Sequence, residues 1–208
     1  LILHIIEDVA AQVFIPLTNV ELIFEWGYGL REGTIIHHLL RPINFQGMYY
    51  SQNLGILGTQ MVMQIPMALV ATFLFGLQWP ADLRLWGAFL VSALLGFTAL
   101  FFFVYCVACL VFYTTEVWGL GVLFYGMSLF LSGALVPLVM MPDWLRLIVT
   151  AIPWSQALAV PLGILTGITP LERVPGIWMQ QVLWVIGLWL ASNLIFKVAI
   201  RKVTVQGG

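Results

Sequence analysis

The chain has 208 residues, of which 62% are hydrophobic and only 8% charged, with a net charge of −1 and a mean hydropathy of +1.02. A soluble domain carries roughly 25% charged residues, so this composition excludes a soluble globule and predicts an all-α integral membrane protein. No basic run is present, which excludes nucleic acid as a partner; the partner that the composition names is the lipid bilayer.

Leu1 to Pro16 is apolar but interrupted by His4, Glu7 and Asp8. It is shorter than the ~20 residues of a full span. It reads as the end of a membrane helix that begins before residue 1 (segment 1–16), with an interfacial or re-entrant helix as the alternative. No basic region precedes the apolar run, so it does not read as a signal peptide. Residues 17–52 hold Glu21, Glu25, Arg31, Glu32, His37, His38 and Arg41 and are expected outside the hydrocarbon. Inside this segment, Thr34 to Arg41 separates cleanly on a helical wheel at ~100° per residue. Ile35, Ile36, Leu39 and Leu40 share one arc; Thr34, His37, His38 and Arg41 fill the other. Gly33 and a Thr34 hydroxyl cap would start such a helix, and Pro42 would end it at Arg41. The stretch reads either as a short interfacial helix of about two turns or as a plain amphipathic connector.

Leu54 to Leu77 (54–77) is the first complete span expected. Its Gln60 and Gln64 lie one turn apart and suit either a packed helix contact or an aqueous path. Gln78 to Asp82 carries turn formers. The second span is expected over 85–112, with Ser92 and Gly96 as a small-residue pair for close helix packing. Cys106 and Cys109 lie in its apolar run with no His or Asp nearby, and read as small buried residues. After the turn 113–116, with Thr114 or Thr115 as cap and Glu116 in the next first turn, a third span is expected over 117–136.

Five prolines (137, 142, 153, 161 and 170) then punctuate residues 137–175. Asp143 can cap a helix from Trp144 to Ile152, and Trp154 to Leu165 offers a second. The stretch Leu147 to Leu171 is also apolar enough to cross. Lys and Arg counts decide between the two. If it does not cross, five (31, 41, 197, 201, 202) lie on the side of Arg31 and three (84, 146, 173) opposite. If it crosses, the split reverses. The positive-inside rule favours two short non-crossing, re-entrant helices on the outer face over 141–169. The last span is expected over 177–200, with Asn193 as its one strongly polar interior residue, before a basic-then-polar tail.

The chemistry of an enzyme is missing. There is no glycine-rich phosphate loop, no metal-ligand spacing and no pair of carboxylates within a span, so neither catalytic residue nor metal ligand is expected. Three function classes remain compatible with this sequence. They are a transport subunit driven from outside itself, a secondary carrier or channel without an ATPase, and a lipid-modifying membrane enzyme.

Three stretches carry a family resemblance. Arg31-Glu32-Gly33-Thr34 is followed by Leu39-Leu40-Arg41-Pro42-Ile43-Asn44. Leu131-Ser132-Gly133-Ala134-Leu135-Val136-Pro137-Leu138 precedes Met141-Pro142-Asp143-Trp144-Leu145. Ile152-Pro153-Trp154 leads to Leu165-Thr166-Gly167. In this order and spacing, over about residues 20–200, the sequence resembles the membrane subunits of type-2 ATP-binding-cassette (ABC) transporters. The resemblance implies the type-2 exporter fold in a bacterial plasma (inner) membrane, as a multi-pass protein. Its six-helix plan puts one helix and most of a second before Leu1, so the four complete spans would be helices three to six. It implies that Thr34 to Arg41 is a cytoplasmic coupling helix docking on a separate ABC ATP-binding subunit. Glu32, Gly33, Thr34, His37, His38, Arg41 and Pro42 would be its coupling residues, with Glu32 and Arg41 as charged contacts. Which face of the helix docks is left open. ATP and Mg would belong to that partner, with no cofactor on this chain, and a second permease subunit would complete a homo- or heterodimer. Gln60, Gln64 and Asn193 are candidate polar residues of the translocation path, for a hydrophobic or amphipathic solute such as a drug, lipid or glycan.

Overall fold

The computed structural model describes residues 19–40, 42–75, 79–114 and 117–202. The side chains of Gln60, Gln64, Met67, Ala68, Ala71, Phe75 and Val139 lie outside that description, as do Arg41, Glu116 and the segment 1–16. Among the described residues every regular element is helical: α1 (Glu21–Arg31), α2 (Ile35–Leu39), α3 (Phe45–Phe75), α4 (Leu83–Ala108), α5 (Val117–Leu131), α6 (Asp143–Ala151), α7 (Pro153–Ala157), α8 (Ala159–Leu165) and α9 (Val174–Ala199). Two of these, extended by 3-10 turns to Leu83–Phe112 and Leu171–Lys202, are long and apolar enough to cross a membrane.

α4 is the hub. Asp82 caps its start, accepting a hydrogen bond from the Arg84 backbone N–H at 2.9 Å, and twenty-six residues carry it about 39 Å. The most apolar window of Leu83–Phe112 is 61% buried, against 11% in Leu171–Lys202. α4 is therefore wrapped by protein, whereas α9 lies along it with most of its surface outward. At one end of the bundle, five rings from four segments converge on Trp26 of α1. Its ring lies 4.8 Å from Tyr105 (α4), 5.2 Å from Phe45 and 5.6 Å from Tyr49 (α3), 5.7 Å from Phe112 and 6.1 Å from Phe196 (α9). Pairs at these distances add specific orientation to the area they bury. At the opposite end Ala88, Ile164 and Val174 form a smaller cluster with Ile177 and Trp178.

Several boundaries differ from those expected, each for a local reason. The polar segment 17–52 contains an unforeseen helix, α1, which buries Leu22, Ile23, Trp26 and Gly27 while exposing Glu21, Glu25 and Tyr28. The helix expected from Leu54 starts at Phe45, because the Asn44 side chain caps it through the Gly47 N–H at 3.0 Å. It runs through Pro66 without stopping. The helix expected over 117–136 ends at Leu131, where Gly133 adopts φ +86, a left-handed stop. Fifteen residues make α5 about 22 Å long, so it ends level with the middle of α4, where Leu129 packs beside Phe97 and Leu158.

The two helices expected in 141–169 are three. Asp143 is not a cap; it is the first residue of α6 and pairs with Arg146. Leu158, at φ −126 and ψ −68, separates α7 from α8. Prolines explain the breaks. Pro153 has no N–H for the carbonyl of Val149, and the Ser155 hydroxyl takes that carbonyl instead at 2.6 Å. Gln156 Nε2 donates to the carbonyl of Thr150 at 2.7 Å and Trp184 Nε1 to that of Ala151 at 2.8 Å. Backbone freed by a break inside a bundle needs such partners.

Candidate functional site

Two groups of residues stand out, one on the surface at the Trp26 end and one buried in the middle of the bundle. The surface group is built on α1, α2 and the start of α3. α1 closes with Glu32 as its C-cap, and Gly33 turns the chain at φ +75. The wheel expectation for the next segment is corrected in two ways. The helix is five residues long, not eight, and Thr34 stands at its N-cap position without a side-chain capping bond; the Thr34 hydroxyl instead donates to the Gly29 carbonyl at 3.5 Å, back on α1.

The buried arc is also rotated, by about 50° at 100° per residue. Ile35 is buried, and Ile36 and Leu39 pack partly against the same core. His38, placed with the polar residues by the wheel, is half-buried, its ring 6.3 Å from Tyr49 and its Nδ1 enclosed without a hydrogen bond. Leu40, placed with the apolar residues, is 78% exposed. Burial of Ile35 against the core beside Gly29 of α1 sets this rotation. Inward anchoring by Ile35, Ile36 and Leu39 leaves Glu32, Thr34, His37, Leu40, Pro42 and Ile43 outward. Arg41 lies outside the described residues. The outward surface is thus mixed, with carboxylates of α1 (Glu21, Glu25) beside the apolar Tyr28, Leu40 and Ile43.

Gly33 is the pivot of this surface. A Cβ there would meet nothing within 4 Å, so substitution costs backbone strain alone, about 1–2 kcal/mol for an L-residue in the left-handed region. Gly33→Ala is expected to raise amide hydrogen exchange across 33–40 by roughly 5–30-fold, with exchange in α4 unchanged.

The buried group was not legible as a site. Gln181 of α9 is fully buried. Its Nε2 lies 2.9 Å from the Ser92 hydroxyl, 3.1 Å from the Ser92 carbonyl and 3.2 Å from the Gln156 carbonyl. Ser92 Oγ can return a bond to Gln181 Oε1 at 3.1 Å. The reading that named Asn193 the one polar interior residue of the last helix is therefore corrected. Gln180, Gln181 and Ser192 share its interior, and Gln46 of α3 donates to Ser192 at 2.6 Å. Asn193 itself donates to the Trp189 carbonyl of its own helix at 2.7 Å. The side chains of Gln60 and Gln64 lie outside the described residues. The signal for Ser92 and Gly96 was the small-residue pair; a Cβ on Gly96 would sit 1.8 Å from the Gln156 carbonyl oxygen, so only glycine admits the hairpin.

Cys106 and Cys109 are free thiols, the latter fully buried. Among the described residues no group of His, Cys, Asp and Glu could hold a metal ion. What the arrangement offers is an exposed surface of mixed polarity at one end and a hydrogen-bonded helix break in the middle.

No curated protein and no solved structure matches the chain. The family model described as "ABC-2 family transporter protein" matches residues 5–207.

Proposed function

The chain belongs to the ABC-2 transporter family, and from that premise we propose that it is the permease subunit of an ATP-driven exporter. It is a membrane transport subunit. In this reading a separate ABC ATPase holds ATP and Mg, and docks on the surface formed by Glu32, Gly33, Thr34, His37, His38, Arg41 and Pro42. Two permease subunits form the path in a bacterial inner membrane. In this reading α3, α4 and α9 cross, α5 enters from the Trp26 end and the chain after Leu131 completes its crossing, and 141–169 re-enters from the outer face. Gln60, Gln64 and Asn193 contribute polar groups to a path for a hydrophobic or amphipathic solute.

The observation that carries the coupling role is the anchoring of α2. Ile35, Ile36 and Leu39 hold it to the core while Leu40 stands outward. A short helix clamped on its inner face and bare on its outer one can pass a push inward without yielding. The docking face is then the edge with His37 and Leu40, not the apolar arc as a whole.

Leu40→Asp tests this. An exposed position tolerates the change within about 0.5 kcal/mol of folding stability. Apolar residues at the centre of an interface cost more than about 1 kcal/mol when lost. Binding of the ATPase subunit is expected to weaken by at least about fivefold in co-purification and titration, with the permease still inserted. Unchanged ATPase binding overturns the docking face. Transport driven by an ion gradient with no ATPase present overturns the class, in favour of a secondary carrier.

A further inference from the structure

Two sets of interlocking contacts can be told apart in the bundle, and they meet at the Trp26 core and where α5 faces the hairpin. The first comprises α4, the hairpin α6–α8 and α9. Gln181 binds Ser92 of α4 and the Gln156 carbonyl of α7 together. Trp184 fixes the Ala151 carbonyl, and Gly96 admits the backbone of Gln156 and Ala157 into direct contact with α4. Every one of these links crosses between elements of the first body.

α5 belongs elsewhere. It packs on α1 through two close fits of opposite polarity. A Cβ on Gly27 of α1 would lie 2.1 Å from Val117 of α5, and a Cβ on Gly121 of α5 would lie 2.3 Å from the Phe24 ring of α1. A surface in which each helix receives a side chain of the other resists sliding. α1 is continuous with α2 through the Gly33 turn. A push on α2 therefore moves α1, and α5 with it. The contact of α1 with α4 is of another kind. Trp26 is fully buried among the rings of Tyr105, Phe112, Phe45, Tyr49 and Phe196, an extensive contact, but one made of rings: the Tyr105 hydroxyl makes no hydrogen bond, so motion here re-stacks rings without breaking that bond.

Where α5 meets the hairpin, a directional bond spans the gap. Trp154 Nε1 of α7 donates to the Ser128 hydroxyl of α5 at 2.9 Å. Both residues are buried. Next to it the rings of Phe103, Phe124 and Trp154 pack without hydrogen bonds.

We propose that α1 and α5 move as one body against a fixed body of α4, the hairpin and α9, and that the Ser128–Trp154 hydrogen bond is the latch between them. The inference rests on the ATP-driven permease reading for what drives the motion, not for the existence of the latch. Ser128 and Trp154 are positioning residues: they set which state is populated without touching the solute. Loss of a latch shifts a two-state equilibrium by the free energy that distinguishes the states.

The test uses spin-label distances in the assembled transporter, with the permease and its partner ATPase in lipid nanodiscs, and with Cys106 and Cys109 replaced by alanine. One label pair, Leu147→Cys with Leu183→Cys, lies within the fixed body. The other, Leu123→Cys with Leu183→Cys, spans the seam. All three positions are exposed. Between the nucleotide-free and ATP-vanadate states the first distance is expected to hold, and the second to change by roughly 5 Å, the scale of a helix shifting by one turn. Equal changes in both, or no change in either during ATP turnover, overturn the two-body division.

A second arm needs no nucleotide. Ser128→Ala removes one oxygen and keeps the packing; Trp154→Phe removes the donor and keeps a ring. Each is expected to populate the shifted Leu123–Leu183 distance in the nucleotide-free state, and the double variant to do no more than either alone. An unshifted distribution in both single variants, or additive effects, overturns the latch. If no ATPase activity accompanies the chain, the permease reading fails, and this second arm still decides the latch.

Discussion

Gly96→Ala is expected to lower the thermal midpoint of the purified protein by roughly 4–12 °C, the equivalent of about 2–3 kcal/mol. A methyl group is the smallest addition possible, yet the Cβ would stand 1.8 Å from the Gln156 carbonyl oxygen, 2.5 Å from its carbon and 2.9 Å from the Ala157 Cα. All three are backbone atoms, so no side-chain rotation relieves the clash. The hairpin must withdraw from α4. Withdrawal stretches the bond from Gln181 to the Gln156 carbonyl, now 3.2 Å, and opens the Phe97–Leu158 contact. Gly87→Ala, on the same helix, is the control. Its Cβ meets nothing within 4 Å, and replacing a mid-helix glycine with alanine is worth about 0.5–1 kcal/mol in favour of the folded state. A melting series in which both variants behave alike would show that α4 and the hairpin are not in contact.

The contrast between those two glycines shows where sequence reading reaches its limit. Both sit in one apolar helix, and nothing local separates them. The Ser92/Gly96 spacing suggested close packing but not the partner, because the partner is the carbonyl of a residue sixty positions away. Periodicity located α4 and α9 within a few residues, since long apolar runs leave helix as the only economical backbone. It missed α1, although Glu21, Glu25, Tyr28 and Glu32 repeat every three to four residues opposite Leu22, Ile23 and Trp26. Composition there was weighed as a whole and not by face. The wheel for Thr34 to Arg41 found the amphipathic helix but misjudged its rotation. A five-residue helix is oriented by what receives it, here the core beside Gly29 of α1 that buries Ile35, and not by its own average polarity. Gln181 was passed over because an amide in a span announces no partner; only the fold brings Ser92 and Gln156 to it.

The same limits shape the expectation for the surface. His37→Pro is expected to reduce transport by at least about tenfold while leaving the protein inserted and the ATPase able to hydrolyse ATP. His37 is exposed, so loss of its side chain alone costs little, and His37→Ala serves as the comparison. Proline acts on the backbone. It removes the N–H that bonds the Thr34 carbonyl at 3.1 Å, and it disfavours helical geometry at Ile36. Ile36 is one of the three residues that clamp α2 inward, and its carbonyl receives the Leu40 N–H at 3.0 Å. Breaking the helix at this point leaves a flexible loop between the docking edge and the core. A push on the loop is absorbed locally and does not reach α1. Coupling is carried by rigid elements with two discrete arrangements, and a five-residue helix has no second turn in reserve. Full transport by His37→Pro, or an equal loss in His37→Ala, would place the coupling function in the side chains or elsewhere in the chain, not in the rigidity of α2.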